Sequence, residues 1–206
     1  TTWMHHADGK SCGTTYYDGE FYSSIIIGTQ CWMDRNLNAG NMIYGGGNQI
    51  NNGVIEKFCY DDNLSNCTAY GGLYQWDEMM QYTTTEGTQG ICPPGWHIPT
   101  KTEWETLINY LGGDTYAGGK MKEAGNDHWT SPNTGATNQS GFTGLPAGYE
   151  HFGSYTGIGF TTYLLSSTES TSDKAWSRRL EASTSASYPL AVSKPFGFSV
   201  RCLKDL

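Results

Sequence analysis

The six cysteines, at positions 12, 31, 59, 67, 92 and 202, are the residues with the widest chemistry to offer, since thiolates bind metals, attack carbonyls or pair with one another. Zinc-type ligation needs close clusters such as CxxC. None occurs, and the seven residues between Cys59 and Cys67 contain no histidine. An even count favours disulfides. The short polar stretch 60–66 invites a local Cys59–Cys67 bridge, Cys92–Cys202 ties the middle of the chain to its end, and Cys12–Cys31 follow by elimination; other connectivities remain formally open. On a chain-entropy estimate the long-range bridge is worth about 4–5 kcal/mol, less any strain. Disulfides in turn imply an oxidising compartment, extracellular or cell-surface.

The remaining candidates are weaker. The histidines at 5, 6, 97, 128 and 151 form neither HExxH nor an i, i+4 pair, and His97, between Trp96 and Ile98, reads as a satisfied core histidine. In GSYTG (153–157) the serine is second rather than central, so it makes no nucleophile elbow. Asp61, Asp62, Asp77, Glu78 and Asp127 lack EF-hand spacing and read as solvated loop charge. The GGG run at 45–47 is not followed by phosphate-loop spacing. Sequons at Asn63, Asn66 and Asn138 mark surface loops. These residues point to no catalytic group, no metal and no cofactor.

The elements that must position any site follow from composition and pattern. With 206 residues, 37% hydrophobic and 14% aromatic, the chain reads as a single domain, 1–206, with ample core material. Only 16% of residues are charged and 27 are glycine, which excludes a helical bundle. Twelve Lys and Arg against 20 Asp and Glu give a net charge of -8, so the positive footprint that nucleic acid requires is missing. No apolar run approaches the roughly 20 residues of a membrane span. A start at Thr1 without a signal-like stretch suggests that a targeting segment has been removed.

Residues 16–33 predict a β-hairpin turning at Gly28-Thr29, 38–53 a Gly- and Asn-rich surface loop, and 74–82 a helix of about two turns. The clearest helix follows Thr100: Glu103 completes a capping box, Trp104, Leu107, Ile108 and Leu111 form an apolar stripe, and Gly112-Gly113 ends it. From about Phe142 onward the pattern predicts several short antiparallel strands. Two helices before a strand-rich half make an α+β domain with segregated elements.

A resemblance rests on IIIGTQCWMDRNLN (25–38), CYDDNLSNC (59–67), YGGLYQWDEMM (70–80), ICPPGWHIPTKTEWETLINYLGG (91–113), GFTGLPAGYE (141–150), LLSSTES (164–170) and GFSVRCLKD (197–205). Together these resemble the Fibrobacter succinogenes major paralogous domain, itself similar to the formylglycine-generating-enzyme branch of the C-type lectin fold. The resemblance implies a twisted antiparallel sheet with two helices, disulfide-stabilised, with its termini close together. Formylglycine-generating enzymes use a late cysteine pair, whereas Cys202 has a structural partner in Cys92. Calcium lectins carry EPN or QPD and then WND, whereas this chain has AWSRR at 175–179.

Between Trp176 and Phe198 the text SRRLEASTSASYPLAVSKPFG departs from the Asn- and Tyr-rich sequence that the family tends to carry. Variable proteins of diversity-generating retroelements share the C-type lectin fold and end in a segment mutated at template adenines, from which Trp, Met, Gln, Glu and Lys are out of reach. Only Glu181 and Lys194 in 177–197 fall outside the reachable set, and they would be template-fixed. The resemblance therefore implies a noncatalytic extracellular module that recognises a protein or cell-surface ligand through residues 155–196. An enzyme or calcium lectin of the same fold is the alternative. Tyr155, Tyr163, Arg178, Arg179, Ser183, Thr184, Tyr188, Leu190, Val192 and Phe196 are the candidate ligand contacts. Strand alternation sends about half of them into the core. Substitution of Arg179, Tyr188, Leu190 or Val192 is expected to affect stability little.

Overall fold

The computed structural model describes residues 10–205, so His5 and His6 lie outside it. The chain runs through β1 (Thr14–Tyr17), β2 (Glu20–Ile27), β3 (Gln30–Met33), β4 (Asn41–Met42), β5 (Glu56–Lys57), a 3-10 turn (Tyr60–Asp62), α1 (Leu64–Tyr70), β6 (Leu73–Tyr74) and α2 (Trp76–Met79). It continues through β7 (Trp96–His97), α3 (Lys101–Tyr110), α4 (Asp114–Met121), β8 (Ala147–His151), β9 (Ser154–Ile158), β10 (Thr161–Thr171), β11 (Lys174–Glu181), β12 (Pro189–Ser193), β13 (Phe198–Ser199) and β14 (Leu203–Lys204).

A five-stranded sheet has the order β1-β2-β3-β14-β7, and a seven-stranded one β12-β11-β10-β13-β6, with β8 and then β9 joined to β10. Residues 198–204 therefore enter both sheets, each time between two other strands. Most pairings are antiparallel, as the sequence predicts, but β10 runs parallel to both β8 and β13. Neighbouring residues divide between two apolar cores: Met33, Leu165 and Cys202 enter one, while Trp32, Leu164 and Leu203 enter the other. Strands buried on both faces show continuous apolar pairs rather than alternation.

The three expected disulfides are present, with Cα–Cα separations of 6.2 Å (Cys12–Cys31), 5.0 Å (Cys59–Cys67) and 5.9 Å (Cys92–Cys202), and no cysteine is free. They suggest a secreted or extracellular protein. Among the described residues no helix is long and apolar enough to cross a membrane.

Among the described residues four short helices replace the expected two. The predicted helix 74–82 shrinks to α2, because Tyr74 pairs in β6 and Gln81 and Tyr82 turn to positive φ beyond the helix. Inside the Cys59–Cys67 bridge the polar stretch is a 3-10 turn followed by α1, whose cap is Asn63 Oδ1 accepting from Ser65 N (3.0 Å). The expected loop 38–53 holds β4, which pairs parallel with β5. Helix α4 contains Gly118-Gly119, a pair that lowers helix propensity. A Cβ at either position would fall on the carbonyls of Ala186 or Gly135, so the glycines let two loops close on the helix.

Helix α3 begins with the predicted capping box: Thr100 Oγ1 accepts from Glu103 N (3.2 Å) and Thr100 N donates to Glu103 Oε2 (2.8 Å). Its stripe, Trp104, Leu107, Ile108 and Leu111, is buried, and the Trp104 ring lies 4.5 Å from Trp32. His97 is satisfied, as expected, but by two carboxylates: Nε2 lies 3.0 Å from Glu103 Oε1 and Nδ1 2.6 Å from Asp205 Oδ1. The bond to Glu103, reinforced by Asp205 and opposed by burial, raises the His97 pKa above its ordinary 6.5. Burial pushes Glu103 upward, but bonds from His97 and Thr100 outweigh it and hold the carboxyl below 4.5.

The raised His97 contributes stability that is fully present below pH 6.5 and is lost as pH rises through its folded value. The depressed Glu103 contributes stability present above pH 4.5 and lost as pH falls through its folded value. Their window is pH 4.5 to 6.5. Thermal melts of wild type and His97→Gln across pH should differ most there, by about 1–2 kcal/mol, and converge above it. A gap independent of pH would refute the linkage.

Candidate functional site

Register decides which candidate contacts can meet. Directly opposed residues share a sheet face, and Tyr163 opposes Arg179, Leu165 opposes Ser177, Ser177 opposes Leu190 and Ala175 opposes Val192. One face therefore carries Tyr163, Arg179, Leu190 and Val192, and Tyr188 continues the row just before β12. At its inner end Leu165, Ala175 and Val192 enter the first core; at its outer end Leu190 and Tyr188 are 40% and 52% exposed.

This face opens into a cleft of about 240 Å³, lined by Tyr163, Leu190, Val192 and Phe196 together with Tyr149, Lys174, Ala191, Ser193 and Phe198. Its rings support one another: Tyr149 meets Tyr163 edge-on at 5.5 Å and stacks on Phe198 at 5.8 Å, and Tyr163 tilts against Phe198 at 5.3 Å. At the rim Phe152, 77% exposed at the tip of the β8–β9 hairpin, meets Phe196 edge-on at 5.2 Å. Apolar walls with one charged group, Lys174, can seat an aromatic or aliphatic group and fix a negative one beside it. The arrangement supplies contact, with no paired acid and base along its lining.

The other candidates lie elsewhere. Arg178 belongs to the opposite face, where it is buried and Nη1 donates to Asp114 Oδ1 (2.7 Å) and to the Ser187 carbonyl (3.0 Å). Tyr155 packs 5.3 Å from Tyr60 and donates its hydroxyl to Asp62 Oδ1; burial, with Asp62 adding to it, pushes its pKa up. Arg179 shares the cleft's face but pairs with Glu181 (3.0 Å) beyond the cleft lining. Ser183 is exposed, and Thr184 lies in a loop held against α4.

A buried lysine clamps that loop. Lys122 Nζ donates to the carbonyls of Thr134 (3.1 Å), Glu181 (2.8 Å) and Thr184 (2.9 Å), and burial pulls its pKa down to about 8. The stretch 181–187 is thus fastened scaffold. Sequence reasoning missed Tyr149, Phe152, Lys174 and Phe198. Tyr149 and Phe198 stand in motifs that carry the family resemblance, and only the topology brings them beside β12. Among the described residues, no group of three or more His, Cys, Asp or Glu side chains is placed to hold a metal ion.

A disulfide-tied α+β domain with an open aromatic cleft on its larger sheet is the class that this geometry defines. Residues 25–204 match the model of the Fibrobacter succinogenes major domain, and the chain belongs to that family. No curated protein and no solved structure matches it.

Val192, at 7% exposure within the core, corrects the expectation that it tolerates change. Val192→Ala should cost about 1–3 kcal/mol in a denaturant melt, whereas Tyr188→Ser and Leu190→Ser should each stay within about 0.5–1 kcal/mol of wild type. Equal losses at all three positions would make the outer face ordinary core.

Proposed function

We propose that the protein is a noncatalytic binding module of C-type-lectin-like fold, displayed outside the cell, that holds a protein or cell-surface ligand against the aromatic cleft. The observation that carries this reading is the convergence of Tyr163, Leu190, Val192 and Phe196 with Tyr149 and Phe198 around one open, largely apolar hollow. Aromatic anchors on a rigid frame supply contact area at low entropic cost, and the frame here is fixed by disulfides and two cores. The bond between Cys202 and Cys92 removes the late thiol that formylglycine-type chemistry would need.

Retroelement diversification is the finer part of the proposal. Within 177–197 the exposed Ser183, Tyr188 and Leu190 are all reachable types. Lys194, outside that set, is buried, pairs with Glu169 and lies 4.1 Å from the Trp76 ring centroid. A position held by burial gains nothing from variation. Sequencing the neighbouring DNA should reveal a reverse transcriptase and a near-identical template copy of the 177–197 codons. Their absence would remove diversification and leave binding.

Binding is tested by presenting wild type and Tyr188→Ser, Leu190→Ser and Phe196→Ser variants to arrays of purified cell-surface proteins and of glycans. Wild type should retain defined partners, and the variants should lose about ten-fold or more in affinity, Tyr188→Ser and Leu190→Ser with little change in melting temperature. Undiminished binding by all three variants would move the ligand site elsewhere.

A further inference from the structure

Among the described residues the seven-stranded sheet ends at β12, which has a neighbour on one side only. The hydrogen-bond phase of this edge can be worked out. Arg179 N donates to Tyr188 O (3.4 Å) and Lys194 N to Asp173 O (3.0 Å), and no register shift separates these two pairs. Bonded pairs recur at every second residue of an antiparallel ladder. Leu190 and Val192 therefore turn their backbone groups toward β11, while Pro189, Ala191 and Ser193 turn theirs away. Ser193 O accepts from Phe196 N (3.2 Å), and proline has no N–H. The Pro189 carbonyl, both groups of Ala191 and the Ser193 N–H make no hydrogen bond among the described residues.

A row of open donors and acceptors is a template for another strand. Here it borders the cleft, which touches four successive residues, Leu190 to Ser193. Side chains alternate across a strand, so four in succession are reached together only along its backbone. Lys174, opposite Ser193, is the one charged residue lining the cleft.

We propose that the partner's contact segment is an extended acidic peptide that adds a strand to β12, exchanging both backbone hydrogen bonds with Ala191, placing an apolar side chain in the aromatic cleft and a carboxylate against Lys174. The proposal rests on the cleft being the binding face. Main-chain bonds then supply sequence-independent affinity, and the cleft and Lys174 select the side chains.

The test uses random linear dodecapeptides displayed on phage, selected on the immobilised protein, with a selected peptide then measured by fluorescence anisotropy. Acidic sequences with alternating apolar residues should emerge. Methylating the peptide's backbone nitrogens one at a time should weaken binding about ten-fold at every second position and little between. Ala191→Pro deletes one outward N–H and no bond to β11, so it should weaken binding similarly, while Ala191→Val, which keeps the N–H, should bind more tightly than Ala191→Pro. Lys174→Gln should reduce affinity several-fold for the acidic peptide and leave its amidated counterpart unaffected. If Ala191→Pro fails to fold, the methylation pattern still decides. Loss on Leu190→Ser or Phe196→Ser, with neither methylation nor Ala191→Pro having effect, would overturn strand addition and leave the cleft as the binding face. Selection of no peptide would overturn the proposal, as would a concentration-dependent dimer that Ala191→Pro abolishes, which would give the edge to a second copy.

Discussion

The guanidinium of Arg201 is wholly buried and held by polar atoms that carry no charge. It donates to the carbonyls of Met33 (3.0 Å), Phe142 (2.6 Å) and Thr143 (3.4 Å), takes Asn36 Oδ1 in a fork (3.1 and 2.9 Å), and lies 4.1 Å from the Phe142 ring centroid. Burial pulls its pKa down to about 9. A cation removed from water without a carboxylate against it is tolerated only when every donor finds a fixed dipole. The end of β3, the segment after it, residues 142–143 and the link between β13 and β14 that carries Arg201 must therefore take their places together. Val200 and Cys202 enter the first core on either side, Phe198 reaches the cleft and Leu203 the second core. One charge fixes the seam from which both sheets and the aromatic cleft extend.

That seam explains how the larger sheet can hold an open aromatic cleft at its outer end. The inner parts of β10, β11 and β12 are anchored by Leu165, Ala175 and Val192, and the opposite face by Leu164, Leu180 and the Arg178–Asp114 pair. Lys122 fastens the connection between β11 and β12 through carbonyls alone, so side chains in that loop can change while its path is kept. On the outer part of that face Tyr188 and Leu190 stay exposed.

Signals contained within a few residues were legible: the Thr100 capping box and the stripe behind it, the hairpin turn at Gly28-Thr29 and the pairing of Cys59 with Cys67. Counting alone leaves three ways to join the other four cysteines, and only once Cys92 is taken with Cys202 does Cys12–Cys31 follow by elimination. Helix α4 was hidden because its glycine pair speaks against a helix until the Ala186 carbonyl that it accommodates is known. The site was legible in half. Leu190 and Phe196 stand out as large apolar residues in the unpatterned segment 177–197, and Tyr163 in a strand before it, but Arg178 and Arg179 are indistinguishable until register sends one to Asp114, 64 residues away, and the other to the cleft's face. Tyr149 and Phe198 were invisible for the same reason, since the pairings that bring them beside β12 are encoded at long range.

The passage of residues 198–204 through both sheets has a bearing on biogenesis. Without this stretch, β10 and β6 have nothing between them and neither do β3 and β7, and Cys92 lacks its partner. A nascent chain halted before Phe198 can complete neither layer, so native structure is postponed until nearly the whole domain has been synthesised. Closure of both sheets and formation of the Cys92–Cys202 bond then fall at the same late point, when an oxidising compartment can seal them together.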